Sequence, residues 1–212
     1  MAKVLVLIAG NIASGKTSLT ERLGQRLHWR TGFESVDENP YLPDFYANMT
    51  QWAFHLQIYF LGQRAEQYAE LAAGEDSAIL ERSIYEDAAV FAPALHASGD
   101  LSDRDYRTYR RLFDQVAWHL PRPDLLIYLH TPVPVLQERI RRRGRPMEQG
   151  ITADYLRRLE GYYEQWMGHF DLCPLLAIES AALDFVHDPA DMERVVQRIE
   201  AILHPRENIQ LP

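Results

Sequence analysis

Gly10-Asn11-Ile12-Ala13-Ser14-Gly15-Lys16-Thr17 fits the phosphate-loop pattern G-x-x-x-x-G-K-[ST] at every fixed position. Such a loop works only between a buried strand and a helix, so it restricts the fold more than any other feature of the chain. Val4 to Ala9 is a continuous aliphatic run, as expected for a parallel strand covered on both faces. A helix is expected from about Lys16 to His28. Glycines let the backbone curl so that successive N–H groups point at phosphate oxygens, and the helix adds its positive end. Lys16 supplies charge at the β- and γ-phosphates, and the Thr17 hydroxyl can reach Mg²⁺. Gly10 through Ser18 is therefore the expected ATP cradle.

Further strands are expected at Phe33–Val36, Ala78–Leu80, Leu125–Leu129 and Leu175–Ile178, with helices between them. The helical patterns run over about 50–73, 84–96, 102–118, 131–143, 152–167 and 188–203. Ser102 and Thr152 suit N-caps, Thr131-Pro132 reads as a cap followed by a first-position proline, and Asp188-Pro189 opens the last helix. Strands alternating with helices indicate an α/β fold with a five-stranded parallel sheet flanked by helices, the P-loop kinase fold. No repeat or linker divides the 212 residues, which read as one domain, 1–212.

The net charge of −8 argues against a polynucleotide surface, which normally carries a basic excess. No run approaches the ~20 apolar residues of a membrane span. The apolar N-terminal run leads into a phosphate loop rather than a cleavage site, so a cytoplasmic protein is expected. The one cysteine, Cys173, lies between Leu172 and Pro174 and reads as a core residue.

A phosphate loop does not by itself separate a kinase from a GTPase or a motor. The chain has no Asn-Lys-x-Asp guanine motif and no apolar run ending in Asp-Glu. It does have Arg139, Arg141, Arg142, Arg143 and Arg145, followed by the helix breakers Gly144 and Pro146 around the last of them. Guanidinium groups on a closing segment suit phosphoryl transfer, where charge on the moving group needs neutralising. A solvated basic face is the bland alternative. Combined with the phosphate loop, an arginine-rich lid over about 139–149 is favoured. The other basic run, Arg104, Arg107, Arg110 and Arg111, reads as surface.

Gln57 and Asp87 each interrupt an apolar helix face. Buried polar groups need partners. Either these residues bond within the core, or they meet the edge of a nucleobase stacked on a ring such as Phe91.

The ordered blocks Glu34-Ser35-Val36, Asn39-Pro40-Tyr41-Leu42, Phe45-Tyr46, Trp52 with Gln57, Glu81-Arg82-Ser83-Ile84-Tyr85, and the arginines ending in Glu148 resemble the deoxynucleoside kinases. The likeness spans nearly the whole chain and points to the bacterial deoxyadenosine/deoxyguanosine kinase branch. It implies ATP-dependent 5′-phosphorylation of a deoxynucleoside, with Mg²⁺, in nucleotide salvage. It implies Glu34 as general base, Arg82 on the attacked phosphoryl group, and Glu81 beside Mg²⁺ with Thr17. Tyr46 and Glu148 would hold the sugar 3′-hydroxyl. Gln57 and Asp87 would meet the base, Phe91 would stack on it, and Arg143 and Arg145 would approach the phosphates. The family also implies a homodimer built through long helices, a heterodimer with a paralogue being the variant.

Glu-Ser-Val replaces the family's usual Glu-Pro-Val, and Asp37 and Glu38 lie nearby, so Glu38 competes with Glu34 as base. Ala88 and Ala89 stand where cytidine-preferring relatives carry arginine, which leaves room for a purine. A monophosphate acceptor would need basic residues near the base-binding helices, and Tyr41 to Leu61 contains none. A low-activity ATP-binding subunit would not need Lys16, Thr17, Glu34 and Arg82 together.

Overall fold

A computed structural model of the chain describes residues 3–34, 39–145, 148 and 150–204. Five parallel strands form one sheet in the order β2-β3-β1-β4-β5: β1 Leu5–Gly10, β2 Arg30–Gly32, β3 Ala78–Glu81, β4 Leu125–His130 and β5 Leu175–Glu179. The phosphate loop thus leaves the central strand, at the carboxyl edge where α/β folds place their ligands.

Alternate residues of β1, with Val4 just before it, feed two cores, as the pleat requires. Val4, Val6 and Ile8 pack with Leu19 and Leu23 of α1 (Lys16–Leu27) and Val195 and Ile199 of α9 (Pro189–Leu203). Leu5, Leu7 and Ala9 face Tyr68 and Leu71 of α3 (Met49–Ala73) and Trp166 of α8 (Ala153–His169). A third core joins α2 (Leu42–Ala47), α3, α5 (Ala92–Ala97) and α6 (Asp103–His119) through Leu42, Phe45, Leu56, Leu95 and Tyr109. No helix among the described residues is long and apolar enough to cross a membrane.

Most caps fall where the sequence places them. Ser102, Thr152 and Asp188 accept from Asp105, Tyr155 and Ala190 backbone N–H groups. Thr131 does not cap α7 (Val133–Arg143); Pro132 takes the cap position, and the Thr131 hydroxyl pairs with the Ser180 hydroxyl at 2.5 Å. The second strand also lies earlier than Phe33–Val36. It is the edge segment Arg30–Gly32, whose short polar composition hides its strand character. Phe33 is outside it, and Val36 lies outside the described residues. The short α2 has no counterpart in the sequence reading.

The helix expected at 84–96 contains an irregularity. Ile84–Glu86 (α4) and α5 are α-helical, but Asp87–Phe91 between them is π-helical. Pro93 lies just beyond it and has no N–H to carry the five-residue spacing on to the Ala88 carbonyl. The Ala92 N–H reaches Asp87, five residues back, and the Ala88 carbonyl takes Arg110 Nη1 of α6 at 3.0 Å instead. Arg110 is therefore not simply surface.

Candidate active site

The phosphate loop is shaped by close contacts. A Cβ on Gly10 would fall 2.6 Å from Ser14 Oγ and 2.8 Å from the Leu129 carbonyl. Gly15, with φ 104°, precedes α1 in a left-handed conformation open to glycine. Lys16 is buried and donates to the Gly10 and Asn11 carbonyls at 2.8 and 3.0 Å. Burial, then the nearby Arg82, brings its ammonium down to about 8, with Glu86, Glu81 and Glu34 opposing. Asn11 ties the loop to α8 through Leu156 O at 3.0 Å. The Thr17 hydroxyl donates to Glu81 Oε1 at 2.8 Å.

A cavity of about 690 Å³ opens from this loop. Of the expected cradle, Ile12, Ala13, Gly15, Lys16, Thr17 and Ser18 line it, while Gly10, Asn11 and Ser14 lie behind. Glu34, Tyr46, Gln57, Glu81 and Arg82 line it too, as do Asp87, Phe91, Arg143, Arg145 and Glu148. Sequence-distant residues expected to act together therefore share one chamber. Glu38 lies outside the described residues.

Along the chamber wall runs a chain of ion pairs alternating in sign. Asp87 Oδ2 meets Arg64 Nε at 2.7 Å, and Arg64 Nη2 meets Glu34 Oε1 at 2.9 Å. Glu34 Oε2 meets Arg82 Nε at 2.9 Å, and Arg82 Nη1 meets Glu86 Oε1 at 3.0 Å. Burial pushes the Glu34 carboxyl up, but Arg82, Arg64 and Lys16 together overcome it and hold it well below the usual carboxylate range. Asp87 goes the other way, because its burial outweighs Arg64 and Arg82 and takes it up to about 7. Arg64 and Glu86 are absent from the sequence reading.

Arg82 adopts φ 66°, unusual for a side-chain-bearing residue, as the chain leaves β3. Its guanidinium lies 4.6 Å over the Phe91 ring. The π-turn thus presents Asp87 and Phe91 together. Gln57 is buried on α3, and its Oε1 has no partner among the described residues. A buried amide oxygen left open at a cavity wall suits a ligand donor.

The arginine segment divides in two. Arg139 Nη1 donates to Ser14 O at 2.8 Å and to Ser180 Oγ at 3.1 Å, so it braces the back of the phosphate loop. Arg143 Nε donates to Glu148 Oε2 at 3.0 Å, its Nη2 pairs with the other oxygen, and Arg145 Nη1 lies 3.7 Å from Oε1. In this arrangement the two arginines face Glu148. The Tyr46 hydroxyl is shifted up by burial and then by Glu148 and Glu34.

Residues 6–204 match the sequence model of the deoxynucleoside kinase family. The chain is 36% identical over 202 residues to a deoxyadenosine/deoxycytidine kinase of Bacillus subtilis, covering 94% of this chain and 93% of that one. It is 37% identical to a deoxyguanosine kinase of Lactobacillus acidophilus, covering 92% and 89%. The solved deoxyadenosine kinase of M. mycoides with products dCMP and dCDP superposes with a TM-score of 0.81 at 25% identity, covering 93% of this chain and 99% of that one. The chain belongs to the deoxynucleoside kinase family.

Proposed function

We propose that this kinase transfers the γ-phosphate of ATP to the 5′-hydroxyl of a deoxynucleoside, with a purine as preferred base. The observation that carries the reading is the unbroken ion-pair chain from Asp87 to Arg82. It spans one chamber lined by Gln57, Phe91 and Asp87, suited to a base, and by the phosphate loop.

Glu34 would accept the hydroxyl proton, and Arg82 would hold the phosphoryl oxygens. Its 2.9 Å contact with Arg82 supports Glu34 as that base. Tyr46 and Glu148 would take the sugar 3′-hydroxyl, with Arg143 and Arg145 turning to the phosphates as Glu148 does so. The all-oxygen pair Thr17 Oγ1 and Glu81 Oε1, 2.8 Å apart beside Lys16, fits Mg²⁺, with Thr17 as direct ligand and Glu81 acting through water. Bound there, the cation would neutralise charge on the β- and γ-phosphate oxygens. Relatives named for deoxyadenosine and deoxyguanosine support that preference, whereas Ala88 and Ala89 pack into the cores on either side of the π-turn and do not line the cavity. Exposed Leu112 and Trp118 on α6 support a homodimer through that helix; the cytoplasm is the compartment we infer for it. Residues 1–212 would act as one domain.

Purified protein with Mg-ATP is offered deoxyadenosine, deoxyguanosine, deoxycytidine, thymidine, their ribo counterparts and the monophosphates. Deoxynucleosides are phosphorylated, purines fastest. Turnover of monophosphates alone would sink the reading.

A further inference from the structure

Glu86 is fully buried, and the family likeness gives it no role. The sheet explains why a carboxylate is tolerated there. Strand β1 pairs with β3 as far as Ile8↔Glu81, and the Arg82 N–H closes that ladder on Ile8 O at 2.9 Å. The chain then turns away at Arg82, so the Gly10 N–H has no strand partner on that side. Glu86 Oε1 accepts it at 3.0 Å. The same oxygen takes Arg82 Nη1 at 3.0 Å and the Tyr163 hydroxyl, which also lies 2.9 Å from the Gly10 carbonyl. Buried backbone donors and buried charges both require such partners.

One oxygen therefore joins the first residue of the phosphate loop to the arginine at the reaction centre. Glu34 grips Arg82 at Nε and Glu86 grips it at Nη1, with the Phe91 ring against its face. Among the described residues Nη2 makes no hydrogen bond, and Arg82 lines the cavity. Two edges are fixed so that the third can point at the phosphoryl group.

We propose that Glu86 is a positioning residue for phosphoryl transfer, which aims the Arg82 guanidinium by tying it to the Gly10 end of the phosphate loop. The proposal rests on the assignment of Arg82 above. Glu86 touches neither substrate and acts through Arg82.

The test is a double-mutant cycle on the full chain with deoxyadenosine and Mg-ATP, using Glu86→Gln, Arg82→Lys and the pair, with thermal unfolding recorded for each. Glu86→Gln lowers kcat about 100-fold, the scale of a lost transition-state donor, while both KM values move less than about threefold. Because Glu86 works through Arg82, the double variant is no slower than Arg82→Lys alone. Additive losses, a near-normal kcat in Glu86→Gln, or a loss carried wholly by KM would each overturn the proposal. A normal rate in Arg82→Lys would instead defeat the Arg82 assignment, which keeps the two failures apart. Should Glu86→Gln not fold, Tyr163→Phe removes one donor from the same oxygen and is scored the same way. It lowers kcat about tenfold at constant KM, and an unchanged kcat overturns the proposal.

Discussion

Arg82 Nε and Glu34 Oε2 are 2.9 Å apart, and the other Glu34 oxygen is equally close to Arg64. A carboxylate shared by two arginines is a weak base but a well-aimed one. That suits a loose phosphoryl transition state, where positioning matters more than early proton removal.

Glu34→Gln is expected to lower kcat by about 10²–10³-fold, within the usual range for a lost general base, with a smaller effect on nucleoside KM. Because the arginines hold the folded carboxyl below its unfolded value, Glu34 stabilises the fold above that unfolded value. That contribution fades as pH falls through the folded one. The rate should therefore show no acidic limb from Glu34 between pH 5 and 8. A limb in that window that vanishes in Glu34→Gln would contradict the electrostatics.

Burial takes the Asp87 carboxyl up to about 7 in spite of Arg64 beside it. The neutral acid can donate a hydrogen bond and the carboxylate cannot. Guanine offers acceptors at N7 and O6, whereas cytosine offers its amino group. The ratio of kcat/KM for deoxyguanosine over deoxycytidine should fall as pH rises from 6 to 8.5, and should be flat in Asp87→Asn. A flat ratio in the unsubstituted protein would show that Asp87 does not read the base. The stability effect has the opposite sign to that of Glu34: raising the folded value makes the Asp87 contribution decline as pH climbs from about 4 to 7.

Arg110 holds the Ala88 carbonyl that Pro93 leaves open. Arg110→Met should cost about 1–2 kcal/mol at the π-turn, seen as a roughly tenfold rise in deoxynucleoside KM. The KM for ATP and kcat should be nearly unchanged. Steady-state kinetics with each substrate varied in turn decides this; equal effects on both KM values would detach Arg110 from the acceptor site.

Arg143 is held by Glu148, and on the function proposed above the phosphates would compete for it. In Glu148→Gln, ATP alone should bind a few-fold more tightly, because a charge-assisted pair no longer holds the arginine back. Acceptor KM should rise about tenfold for a lost sugar hydrogen bond. Calorimetric titration of ATP, set beside acceptor kinetics, tests the opposition; movement in the same direction would refute it.

The phosphate loop is legible in the sequence because its chemistry is local: eight consecutive residues contain both the pattern and its reason. Glu81-Arg82 and Gln57 stand out through their order and through polarity on an apolar face. Arg64, Glu86 and Arg110 do not, because a charged residue on a helix reads as solvated until its distant partner is known. Glu34 lies 30 residues from Arg64, and Tyr163 lies 77 from Glu86. Pro93 was the one local sign of the π-turn. The Arg30–Gly32 strand is an edge, where polar composition masks the pattern.

The charge chain Asp87–Arg64–Glu34–Arg82–Glu86 also bears on how such a site can change over generations. Exchanging any one member strands its neighbours as buried, unbalanced charge. New acceptor preferences at the Asp87 end should therefore appear as coupled substitutions, with Arg64 changing alongside. Single replacements would leave a neighbour with an unbalanced charge that a second change could restore, so the ancestry of this pocket should read in pairs.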